Sequence, residues 1–398
     1  MKPHILFAAP HRLLFLVGVM QLLALIAWWS GALLDLSGMG PGLPQAFPNS
    51  LLHAPLLLLM ALPPLFFGFL LTVFPRWLGF PDTHAAIYAP VGIAFGLGAG
   101  LLWIGLLGGS PNFLLAAFAT AGLGWGWALA AMMRWLWAEK QAGKGPSWHG
   151  WSALAATIIG FGCLVAVMKA IHTADGALLQ QADRVALLLF ALPIFFTVCH
   201  RMVPFFAKNV VKDYQPWRPF WLLGLFWLAS ATAAMGAALD MAALSAAAYA
   251  ALSLLSGLMA WRWCPRSAAP GLLWVLIIGF FWAPIGYGLE ALAVAHGSFA
   301  SRDGIHALTI GFAGSLIIAM VTRVTQGHSG RPLKMPLPAW IAFAGVQLSA
   351  VARLVSSWRS EDAHLLIASA AVMLALLVPW VINSVRIYAR PRSDGKPG

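Results

Sequence analysis

"HALTIGFAGSLIIAMVTRVTQGHSGRPL" runs from His306 to Leu333. No residue from Ala307 to Thr322 carries a charge. At about 1.5 Å of rise per residue, the distance from His306 to Arg323 is about 26 Å along a helix, close to the ~30 Å hydrocarbon thickness of a bilayer. His306 and Arg323 therefore stand at opposite membrane faces and cannot share one small site. Ala307, Gly311, Gly314 and Ser315 form a stripe of small residues, which lets another helix, or a flat macrocycle, come close to the backbone.

The rest of the chain repeats this pattern. Of 398 residues, 61% are hydrophobic and 9% charged, against about 25% charged in soluble domains. Twelve apolar runs are long enough to cross a membrane. Six fall near Leu13–Leu36, Ser50–Phe74, Ile87–Gly108, Asn112–Trp137, Trp151–Ile171 and Arg184–Phe206. Six more fall near Trp217–Leu239, Ala242–Trp263, Pro270–Ala295, Ile305–Thr322, Ala339–Ser357 and Leu365–Ile387. The first is too long for a signal-peptide core and reads as a retained helix. The expectation is an all-α polytopic bundle of about twelve transmembrane helices, a single integral-membrane domain over residues 1–398.

An even number of spans puts both termini on one side. Of the 24 lysines and arginines, all but Lys169, Arg184, Arg302, Arg353 and Arg359 then fall on the side of the termini. The positive-inside rule makes that side the cytoplasm. The net charge of +12 is thus a topology signal, and the short loops leave no room for a nucleic-acid-binding domain. Cys163, Cys199 and Cys264 form no CxxC pair, which argues against a thiolate metal site, and CxxCH for covalent haem is missing. No convincing sequence repeat relates the two halves, although Pro63–Pro64, Pro193, Pro204 and Pro284 interrupt spans in both.

The eleven histidines carry most of the functional information. Ionisable groups inside a bilayer are rare and face interior sites. His4, His11, His84 and His149 read as solvated loop residues, and His296 as interfacial. His172 and His364 sit near outer span ends. His53 and His306 each begin an otherwise uncharged span on the outer face, where they can meet at one depth. At the inner face "FFTVCHRMVPFFAKN" holds His200 and Arg201, while "TRVTQGHSGRPL" holds Arg323, His328 and Arg331. Imidazoles suit iron and copper; guanidiniums suit carboxylates. Snorkelling arginines with a capping histidine explain the same spacing equally well.

These segments carry a family resemblance. The opening stretch is similar to the signature of the NnrS family, read as HALTIG, a small-residue helix, MTR and GHTGRPL, with Ser329 in place of the threonine. "HRMVPFF" (His200–Phe206), "PHRLLFL" (Pro10–Leu16) and "GFLLTVFPRWLG" (Gly68–Gly79) resemble further family segments. The family's WHAHE is reduced here: its first histidine falls on His53, whereas its second histidine and glutamate fall on Pro55 and Leu56. The resemblance implies a bacterial inner-membrane protein with non-covalent b-type haem and copper, linked to nitric oxide metabolism or nitrosative stress during denitrification. His53, His306, His200 and His328 are then the expected metal ligands, and Arg201 and Arg323 the expected anchors for haem carboxylates. The expected partners are the lipid bilayer and nitric oxide or a related small molecule. Two other classes compete: a proton-coupled secondary transporter, with Glu290 as its proton site, and a sensor or assembly factor without turnover.

Overall fold

The computed structural model describes residues 5–297, 303–359 and 362–395. Lys2, His4, Arg302 and Lys396, used above, lie outside them. Twelve helices in it are long and apolar enough to cross a membrane, and the described residues include no strand. They are α1 Pro10–Leu36, α2 Asn49–Trp77, α3 Ala85–Gly108, α4 Pro111–Gln141, α5 Trp148–His172, α6 Gly176–Val210, α7 Trp221–Ala238, α8 Ala242–Trp263, α9 Gly271–Ala295, α10 Asp303–His328, α11 Leu337–Trp358 and α12 Ala363–Tyr388. Most ends lie within a few residues of the apolar runs. The sixth differs most: α6 begins at Gly176, capped by the Asp175 carboxylate on the N–H of Leu178 at 3.0 Å, so Arg184 lies inside the helix. A half-polar start of 10 residues, GALLQQADRV, gives hydropathy no edge to find.

Three helices stand apart. In α2, α6 and α10 the apolar windows are 89, 78 and 78% buried, against at most 56% in the other nine. The same three contain π-helical turns, at Leu57–Ala61, Ala186–Ala191 and Ala307–Gly314. In α2 and α6 proline supplies the cause. A proline ring pushes away the carbonyl four residues earlier. For Pro63, Pro64 and Pro193 those carbonyls belong to Leu59, Met60 and Leu189, inside the widened turns. The sequence echoes this: "ALPPLFF" (Ala61–Phe67) and "ALPIFF" (Ala191–Phe196) each leave a π segment. In α10 the π segment has no proline. There Gly311 packs its bare Cα against the Trp282 ring, where any Cβ would overlap it.

The chain forms two compact units. The first comprises Met1–Ile194, Val324–Pro332 and Val381–Gly398. Its interior is aromatic: Trp125 meets Phe67 edge-on at 5.6 Å and Phe190 at 5.1 Å, and its indole N–H donates to the Thr157 carbonyl at 3.1 Å. Gly160 makes room for both rings, since a Cβ there would stand 2.6 Å from Phe190 and 2.8 Å from Trp125. The second comprises Phe195–Arg323 and Leu333–Trp380. In it Phe196 stacks on Phe226 at 3.7 Å. Polar bonds also join its helices: Trp282 Nε1 donates to Gln347 Oε1 and Gln347 Nε2 to Ser315 Oγ, both at 2.7 Å. Such packing and interhelical hydrogen bonds hold helices together where lipid removes most of the hydrophobic drive.

Candidate functional site

The six expected site residues divide between the units. His53 and His328 belong to the first; His200, Arg201, His306 and Arg323 belong to the second.

His53 lies in the first turns of α2, four residues before the π segment that starts at Leu57. Its ring stacks on Trp29 of α1 with centroids 4.0 Å apart and planes 19° apart. His306 comes directly before the π segment of α10. A π turn shifts the register of everything before it against everything after it, and such bulges concentrate at functional sites. Asp183 occupies the matching place in α6, three residues before Ala186, and its buried Oδ1 has no hydrogen-bond partner. Sequence reasoning passed over Asp183 because it belongs to the half-polar segment Gly176–Val185 that precedes the apolar run.

His200 is fully buried. Its Nε2–H donates to the Pro219 carbonyl at 3.1 Å, which fixes the tautomer and directs Nδ1 as the acceptor nitrogen. Phe196 and Trp263 flank the ring at 6.3 and 6.5 Å. Arg323 lays its guanidinium 3.5 Å above the Phe206 ring centroid. The Arg201 carbonyl accepts from Arg218 Nη1 at 3.4 Å.

His328 ends α10, and its ring lies 4.7 Å from that of His11, tilted by 48°. His11 and His149 correct the sequence reading: neither is a solvated loop residue. His11 is 3% exposed and His149 1%, because α1 and α5 start before the apolar runs and carry both rings in their first turns. His84 is exposed as expected and caps α3, its Nδ1 accepting from the Ala86 N–H at 3.2 Å. Around the His11–His328 pair, Arg12 donates through Nη1 to the carbonyls of Tyr388 (3.2 Å) and Arg390 (2.8 Å). Arg76 grips Asp82 at 2.7 and 2.9 Å, which holds the Asp82 carboxyl below the usual carboxylate range. Arg392 grips Asp394 in the same way. Gly330 turns the chain at φ +72°, with the Asp394 carboxylate where a Cβ would sit.

Glu290 is tied into the fold. Its Oε1 accepts the N–H of Ile305 at 2.9 Å, capping the start of α10.

The donor set can be weighed against the cofactors the resemblance implied. Among the described residues no three His, Cys, Asp or Glu side chains gather as a metal site needs. A copper ion here would have at most two protein donors of those types. Haem asks less: one axial imidazole, and cations for two carboxylates. The imidazoles and guanidiniums above supply both kinds of group.

A family model described as NnrS protein matches residues 5–392. Among curated proteins, none matches the chain.

Proposed function

This chain belongs to the NnrS family, and on that premise we propose that it is a haem-holding inner-membrane protein acting on nitric oxide or a related small molecule, with both termini in the cytoplasm. The observation that carries the reading is the position of His53 and His306 at the starts of two buried π-bulged helices. Widened turns are strained and persist where a site uses the altered register.

The residues divide the work by chemistry. His306, His53, His200 and His328 are the imidazoles proposed for iron; Arg201 and Arg323 are the proposed cations for haem carboxylates. Stacking on Phe206 occupies the face of Arg323 and leaves its in-plane N–H directions, the ones a carboxylate uses. Trp29 fixes the plane of the His53 ring, and the Pro219 carbonyl fixes the tautomer of His200. Apolar helix walls keep water out while admitting a small neutral gas. Haem iron, when bound, would supply the metal chemistry that takes up that gas. Copper is the second cofactor proposed, with two imidazoles as its protein donors.

The carrier alternative rests on Glu290 as a proton site, and the bond from that carboxylate to Ile305 gives it a structural use instead.

Purification after haem-replete expression tests the reading. The expected result is a Soret band that His306→Ala removes or strongly weakens while the variant elutes and melts as a folded protein. No Soret band in the parent, or full haem content in His306→Ala, would overturn the assignment. Metal analysis of the same preparations tests copper.

A further inference from the structure

The end of the first unit that carries the start of α1 and the end of α12 holds more positive charge than its own carboxylates answer. The cations within electrostatic reach of His11 are Arg12, Arg76 and Arg392, and the His328 ring lies against it. Those of Arg12 include Arg331 and Arg392. Two carboxylates are close, but Asp82 is gripped by Arg76 and Asp394 by Arg392, each through two hydrogen bonds. Arg12 and Arg331 lie within electrostatic reach of each other, and among the described residues no carboxylate is bonded to either.

Three nitrogens in this cluster are buried without a hydrogen-bond partner: His11 Nδ1, Arg12 Nε and Arg331 Nη1. His11 and Arg12 are 3% and 2% exposed. A buried polar hydrogen normally has an acceptor, and a buried guanidinium normally has a counter-charge. Arg12 has spent Nη1 on two backbone carbonyls. That leaves its Nε edge, the side of a guanidinium that takes two oxygens of one group by parallel bonds. A metal cation alone would meet repulsion from two guanidiniums here. An anion would remove it.

We propose that Arg12, Arg331 and His11 form a binding site for an oxyanion that presents two oxygens to one guanidinium edge, as a carboxylate, a nitrate-type planar anion or a phosphate does. Arg12 Nε takes the anion edge-on, Arg331 adds a second cation, and His11 donates from Nδ1. The Arg76–Asp82 and Arg392–Asp394 pairs keep the neighbouring cations neutralised, so the unanswered charge stays on Arg12 and Arg331. The ligand is a free small anion or the headgroup of an anionic lipid; both offer the same oxygen pair.

The site borders His328, one of the imidazoles proposed for iron, so its test uses full-length protein before any cofactor is added and reads anion binding rather than haem content. Protein in phosphatidylcholine nanodiscs is titrated with formate, nitrate and phosphate against chloride at constant ionic strength. Melting temperature and calorimetric binding are the readouts. A parallel sample replaces part of the phosphatidylcholine with phosphatidylglycerol. The expected result is saturable stabilisation by an oxyanion beyond chloride. In Arg331→Gln and in Arg12→Lys its affinity should fall about tenfold or more, the scale of one lost charge-assisted bond. Arg262→Gln, in the other unit, should bind as the parent does. Stabilisation by phosphatidylglycerol alone, lost in the same two variants, assigns the lipid headgroup as the source. If Arg12→Lys fails to fold, Arg331→Gln decides by itself. No oxyanion effect beyond chloride with either lipid, or parental affinity in Arg331→Gln, overturns the proposal.

Discussion

Arg323 and Glu290 show how one side chain can separate two explanations. Arginine at a span end needs no partner, since it can extend toward water. Arg323 instead lies flat on Phe206 at 3.5 Å, an arrangement worth about 0.5–2 kcal/mol. Lysine keeps the charge and loses the planar fork. Arg323→Lys is therefore expected to shift the haem spectrum or lower haem retention. Unchanged spectra in both Arg323→Lys and Arg201→Lys would leave the two arginines as topology markers alone. Glu290 gives the complementary case. Glu290→Gln retains an acceptor oxygen for the Ile305 N–H and should keep haem content and melting temperature. Glu290→Leu leaves that N–H unpaired and should cost about 1–3 kcal/mol. A large loss of haem or stability in Glu290→Gln would show that its charge matters, as the carrier reading requires.

At the scale of the helix, the π segments make the sharpest prediction. One residue corresponds to about 100° of rotation in an α-helix. Deleting Thr309 from the π segment takes away the one extra residue that the widened turn absorbs, so the turn should close to α-helix while His306 keeps nearly its present angle to Ser315 and beyond. The expected variant inserts and melts cooperatively but holds little haem. Normal haem content in that deletion would show that the widened turn plays no part. The helices themselves were plain in the sequence, because apolar runs of membrane length have few other meanings. The π turns were not, because segments such as LLLMA and ALLLFA are apolar all round and look alike at either period. The candidate site was legible in the same uneven way. His53 and His306 stood out as lone ionisable groups in apolar runs. His11 did not, because its ring packs against His328, more than 300 residues on, and no local pattern near "PHRLLFL" encodes that contact. Charge counting had likewise credited Arg12 to topology, yet it is buried and bonded to two distant carbonyls.

For the whole molecule, the proposal that both termini lie in the cytoplasm rests on the even number of twelve candidate spans and on lysine and arginine usage. Reporters after Gly398 and within Gly143–Pro146 should both report cytoplasm, and one within Gly38–Pro48 should report periplasm. Opposite locations for the two termini would refute the twelve-span reading and the sidedness of every histidine. The bond from Arg12 to Tyr388 reaches across 376 residues of chain, and that separation is also an interval of time. At about 5–20 residues per second of synthesis, α1 waits on the order of tens of seconds before the carbonyls that satisfy Arg12 exist. Throughout that interval a nascent chain carries a guanidinium without its final partners. Residues made that much later thus act as a latch on α1, and a chain whose synthesis stops before Tyr388 would keep Arg12 without those two carbonyls.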